Sequence, residues 1–145
     1  ALYFLQHCHR HFLREGITLR YICDWAMILK NADCFDSEFW NECEKNDLRP
    51  FAESMTRLAY VICGVKASWM NGDVMLQIQD KMLLDDCYRI VDNAIKYGNS
   101  LKAHIQMVKN MLDMRWKYKY FSQRSMEVEL ISSVWSNWVE KEPKI

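Results

Sequence analysis

Apolar residues recur at three- and four-residue intervals through most of this 145-residue chain. That spacing places them along one face of an α-helix and not on one side of a strand. Over residues 1–14, Leu2, Leu5, Cys8 and Phe12 share an inward face, with Phe4 and His11 beside them. Gly16 suits a helix stop, because glycine takes the left-handed conformation without a Cβ clash. Thr18 can then cap the next helix, in which Leu19, Ile22, Ala26 and Leu29 form the apolar face and Trp25 lies at its edge. Asp36 is placed to cap a short helix carrying Phe39, Trp40 and Cys43. Pro50 falls near the first turn of another, where its missing N–H costs nothing. Phe51, Met55, Leu58 and Ile62 give that helix its stripe, and Gly64 ends it.

Residues 65–79 are the least periodic. Asn71-Gly72-Asp73 is a turn signal, and Val74 to Ile78 read as a short strand or an extended loop. Asp80 is expected to cap a helix burying Leu83, Leu84, Cys87, Val91, Ala94 and Ile95, with Gly98 closing it. Residues 101–122 form the longest expected helix, about 33 Å at 1.5 Å per residue. It has two stripes, one of Leu101, Ile105, Val108, Leu112 and Trp116, the other of Met107, Met111, Met114, Tyr118 and Phe121. So wide an apolar face belongs at the centre of a bundle. Ser125 can cap a last helix with Leu130, Ile131, Val134, Trp135 and Trp138, and Pro143 lies beyond its end. The pattern predicts an all-α fold, a single-domain bundle of about six to seven helices over 1–145.

Composition fits this picture. Half of the residues are hydrophobic, enough for a core, and only 4 Gly and 2 Pro interrupt them. Lys plus Arg equals Asp plus Glu at 19 each, so overall charge points to no polyanionic partner, and nucleic acid is not indicated. The balance is uneven along the chain. Lys102, Lys109, Arg115, Lys117, Lys119 and Arg124 cluster against Asp113 alone, whereas residues 33–53 are rich in Asp and Glu. Within the basic stretch, residues 116–121 read WKYKYF, interleaving cations with aromatics as nucleotide-binding surfaces do and as a solvated helix flank also does.

The six cysteines include no C-x-x-C pair, which disfavours a zinc ribbon. Most sit within apolar periodicity and are expected to be free, small core residues in a reducing cytoplasm. No apolar run approaches the ~20 residues of a membrane span. His7 and His11 stand four apart and could share a zinc ion, but a third ligand would have to come from elsewhere, so no metal is expected here. No Ser/His/Asp or Cys/His order suggests a free-standing hydrolase.

One local motif is distinctive. Gly16, Ile17, Leu19, Arg20, Cys23, Asp24, Trp25 and Ala26 spell GI-x-LR-x-x-CDWA, with Arg20 and Asp24 one helical turn apart. This stretch resembles the C-terminal helical region of an uncharacterised nucleotidyltransferase family of bacteria, frequent in Bacteroides relatives. The His-rich first helix and the closing aromatic segments look similar too. The resemblance implies an upstream polymerase-β-like domain, holding Mg²⁺ and a nucleoside triphosphate with an Asp-x-Asp pair after a Gly-Ser turn. This chain has neither motif, and it begins at Ala1 with no initiator Met. It is therefore expected to be a helical accessory domain, non-catalytic alone, with the upstream nucleotidyltransferase domain as its partner. By residue type, Arg20, Lys117 and Lys119 are the candidate phosphate-facing cations. Asp24 is expected to orient Arg20. Trp25 beside the pair, and Trp116 or Tyr118, are candidate contact and stacking surfaces. The alternative is a non-catalytic helical protein-interaction module.

Overall fold

A computed structural model describes residues 1–31, 35–67, 70, 73–89, 112–123 and 125–128. Every regular element among the described residues is helical, and the chain is an all-α bundle. The helices are α1 (Leu2–Arg14), α2 (Leu19–Asn31), α3 (Ser37–Lys45), α4 (Arg49–Cys63), α5 (Ile78–Arg89) and α6 (Arg115–Phe121).

The helix ends follow from a few residues. Gly16 adopts φ 91° after α1, and the N–H groups of Glu15 and Gly16 converge on the His11 carbonyl at 2.8 and 2.9 Å. The Asp36 carboxylate accepts the Phe39 N–H at 3.0 Å, capping α3 as its position implies. Pro50 sits in the first turn of α4, and Gly64 closes that helix at φ 69°. Between α3 and α4, Asp47 takes φ 58°, uncommon for a residue with a side chain. Its carboxylate is held there by Ser122 Oγ at 3.0 Å and the Gln123 N–H at 2.6 Å.

Helix α4 is the hub: α1, α2, α3, α5 and α6 all pack on it, α2 most extensively. Leu5, Phe12, Ile22, Trp25, Phe51, Met55, Leu58, Leu83 and Phe121 are completely buried around it. Burying one such side chain contributes about 1.5–3 kcal/mol. Phe12 stands 5.3 Å from Phe51 and 5.2 Å from Phe121, ring centre to ring centre, which locks α1, α4 and α6 together.

Three expectations need correction. Asp80 is not the cap residue of α5 but lies inside its first turn, where its carboxylate reaches back to the Gln77 N–H at 2.8 Å. This is the reciprocal half of a capping box. The helix expected over 101–122 is broken at Met114, where the Lys117 N–H bonds the Met114 carbonyl at 2.9 Å and α6 begins anew. Of the two alternatives for Val74 to Ile78, residues 73–77 take the loop. Ile62, expected in the stripe of α4, and Leu112 are both exposed. Val91, Ala94, Ile95, Gly98, residues 101–111 and the apolar face from Leu130 to Trp138 lie outside the described residues. Among the described residues no helix is long and apolar enough to cross a membrane.

Candidate functional site

Helix α2 has two faces of different character. Ile22, Trp25, Ala26 and Leu29 turn inward, while Arg20, Cys23, Asp24 and Met27 recur at helical spacing on the outer face. Arg20 Nε and Asp24 Oδ2 are 3.7 Å apart, with the side chains 86% and 51% exposed. The pair therefore meets solvent, as a contact surface requires. Trp25 does not. It is completely buried, its indole N–H donates to Thr56 Oγ1 at 3.0 Å, and that hydroxyl donates on to the Ala52 carbonyl at 2.7 Å. Phe4 stacks on it with 6.1 Å between ring centres. Trp25 is thus a core residue joining α1, α2 and α4, and it offers no surface to a ligand.

Helix α6 corrects a second expectation. The turn at Met114 sets its phase so that Lys117, Tyr118 and Phe121 all face inward. Lys117 is completely buried. Its Nζ lies 2.5 Å from Asp86 Oδ2, donates to the Phe12 carbonyl at 2.9 Å and sits 4.6 Å from the centre of the Phe12 ring. An ammonium so enclosed is committed to α1 and α5 and is withdrawn from any phosphate. Trp116 is half-buried, packed edge-on against Phe12 at 5.8 Å. Lys119 is exposed and borders a cleft of about 560 Å³ shared with Glu44, Asp47, Arg49, Glu53 and Arg57. Arg20 and Asp24 do not line this cleft.

The structure also shows buried polar groups whose partners lie on other elements. Asp80, completely buried, takes Arg57 Nε at 2.7 Å and an Arg57 terminal nitrogen at 2.9 Å, one on each carboxylate oxygen. The Ser54 hydroxyl donates to the same carboxylate. This bidentate clamp ties α4 to α5. His9, between His7 and His11, is the buried histidine of α1, and its Nε2 donates to the Phe121 carbonyl at 2.7 Å. Burial pushes its pKa below the ordinary 6.5, against the opposing pulls of that carbonyl and of Asp47. A cleft of about 570 Å³ opens beside it, edged by Arg10, Arg14, Lys45 and Asp47.

His7 and His11 touch edge to face at 4.5 Å between ring centres, and His11 Nδ1 lies 3.6 Å from Glu15. Among the described residues no three His, Cys, Asp or Glu side chains converge as a metal ion would require. The thiols divide into two classes. Cys8, Cys43 and Cys87 are buried, and burial pushes them up to about 12, 11 and 12. Cys23 and Cys63 are exposed, with their sulfurs 3.9 Å apart, so the expectation of small core thiols holds for three of the five described cysteines.

No family model, no curated protein and no solved structure matches the chain.

Proposed function

We propose that this chain is a non-catalytic helical accessory domain of a cytoplasmic, nucleotidyltransferase-like bacterial protein, and that the outer face of α2 meets the catalytic domain or the nucleotide it holds. The observation that carries this proposal is the surface position of Arg20 and Asp24 within the Gly16–Ala26 motif. An exposed pair contributes only a few tenths of a kcal/mol, and with Arg preceding Asp it runs against the helix dipole. Stability is thus a weak reason for the pair. A guanidinium turned to solvent and steadied by a carboxylate is well suited to a phosphate or carboxylate across an interface, because its donors form a planar fork. Mg²⁺ and the triphosphate belong to the upstream domain in this proposal, as the resemblance implies. Lys119 and Trp116 have no assigned part in it, and Lys117 and Trp25 serve the core.

The open reading frame that encodes this chain supplies the test. The expected result is an upstream Gly-Ser turn followed by Asp-x-Asp, with Mg²⁺-dependent transfer from a labelled nucleoside triphosphate by the long form and none by residues 1–145. Arg20→Ala should lower transfer by the long form ~10-fold or more, the effect of one lost charge-assisted contact. An upstream sequence without such a domain, or full activity of the Arg20→Ala protein, would overturn the proposal in favour of a plain interaction module.

A further inference from the structure

We propose that Cys23 and Cys63 form a reversible dithiol–disulfide site, oxidised by small disulfides, that ties the end of α4 to the outer face of α2. The two sulfurs stand 3.9 Å apart although the residues are 40 positions apart in sequence. They are held together by the closest-packed pair of helices in the bundle. A disulfide needs about 2.05 Å between sulfurs, so the pair must close by roughly 1.9 Å. Rotation about the Cys side chains supplies part of this movement. The backbone supplies the rest, because Cys63 is the last residue of α4 and the Gly64 that follows has open space around the position of a Cβ. Cys23, in the middle of α2, stays fixed.

Access separates this pair from the other described thiols. Cys8, Cys43 and Cys87 are buried, and their high pKa values leave almost no thiolate near neutrality. Cys23 and Cys63 face solvent and can reach a small oxidant. Partial burial and the neighbouring Cys23 raise the Cys63 thiol above its ordinary 9.0, which leaves Cys23 as the attacking group. Cys23, as thiolate, attacks one sulfur of a low-molecular-weight disulfide and expels one small thiolate, giving a mixed disulfide. Cys63 loses its proton to solvent, attacks Cys23 Sγ and expels the second small thiol. One disulfide forms in the protein and one is reduced to two thiols, with two electrons passing from the cysteines to the oxidant. The bond would fix the start of the 64–77 connection against the face that carries Arg20 and Asp24.

The test is titration of the reduced chain with oxidised glutathione, followed by intact mass and peptide mapping. The expected product has lost two hydrogens, carries no glutathione, and links the peptides of Cys23 and Cys63. Its melting temperature should rise by several degrees, because the bond closes a long loop in the unfolded chain, and dithiothreitol should reverse the rise. Cys23→Ser and Cys63→Ser should instead each retain a stable glutathione adduct on the remaining cysteine. Adducts persisting on both cysteines of the unsubstituted chain, a bond to any other thiol, or an unreactive pair would overturn the proposal.

Discussion

Lys117 with Asp86 and Arg20 with Asp24 are the same kind of contact in opposite surroundings. The first closes at 2.5 Å between side chains 0% and 2% exposed, and it is braced by the Phe12 carbonyl and ring. The second spans 3.7 Å between side chains 86% and 51% exposed. Taking the first pair out of water is expensive, and the attraction recovers that cost only if neither partner is removed. The second pair loses little water and gains little from its charges. Charge in the interior of this bundle is therefore structural, whereas the charges on the outer face of α2 contribute little to the fold. The Arg57–Asp80 clamp sides with the first pair, since Asp80 is completely buried and Arg57 nearly so.

The largest expected effect comes from breaking the buried pair. Lys117→Met leaves the Asp86 carboxylate enclosed without its cation and should cost roughly 3–5 kcal/mol. The urea midpoint, with an unchanged slope, is the measurement. Adding Asp86→Leu to Lys117→Met should recover most of the loss, because two apolar groups of similar bulk avoid the stranded charge. A single substitution that costs no more than an exposed one would erase the distinction between the two pairs.

The same distinction marks what could be seen in the sequence. The faces of α1, α2 and α4 were legible, since their inward residues follow a 3.6-residue period, and so were the ends at Gly16, Asp36, Pro50 and Gly64, whose signals are local. Lys117 was not legible. Lysine is ordinarily a surface residue, and the groups that draw it inward, Phe12 and Asp86, lie on other helices far along the chain. Arg57 with Asp80 and His9 with Phe121 were hidden for the same reason, being separated by 23 and 112 positions. Trp25 is a different case. It follows Ile22 by three and precedes Leu29 by four, so the pattern allows it an inward position as well as one at the edge beside the ion pair. Cys23 lies on the polar face of the same helical wheel, and its neighbour Cys63, 40 positions away, could not be paired with it from spacing alone.

Acid offers a gentler way to press on the buried side. Burial holds His9 below its ordinary 6.5, so as pH falls the unfolded chain takes up this proton first. The stability contributed by neutral His9 is complete above about 6.5 and is lost as pH drops toward the folded-state value. His9→Gln keeps a donor for the Phe121 carbonyl and has nothing to titrate. Urea midpoints measured on either side of that window should therefore fall for the unsubstituted chain and stay flatter for His9→Gln. Parallel pH profiles would show that acid destabilisation comes from other groups and that His9 is not held neutral by its surroundings.

The smallest expected effect belongs to the surface pair, and its smallness is what gives it value. Arg20→Ala and Asp24→Asn should each move stability by no more than about 0.5 kcal/mol, and the double substitution should reveal a coupling of only a few tenths. Cys23 lies on the same face, so the melts belong in reducing conditions, where an adventitious bond to Cys63 cannot mask a change. If either substitution costs as much as the buried pair, the outer face of α2 is structural after all and the surface role proposed for Arg20 falls with it. If both are silent in the melt, any loss of ligand binding or activity they cause in the longer protein comes from lost contacts and not from lost folding. A buried site cannot offer that separation, because there the same substitution removes the contact and the fold together.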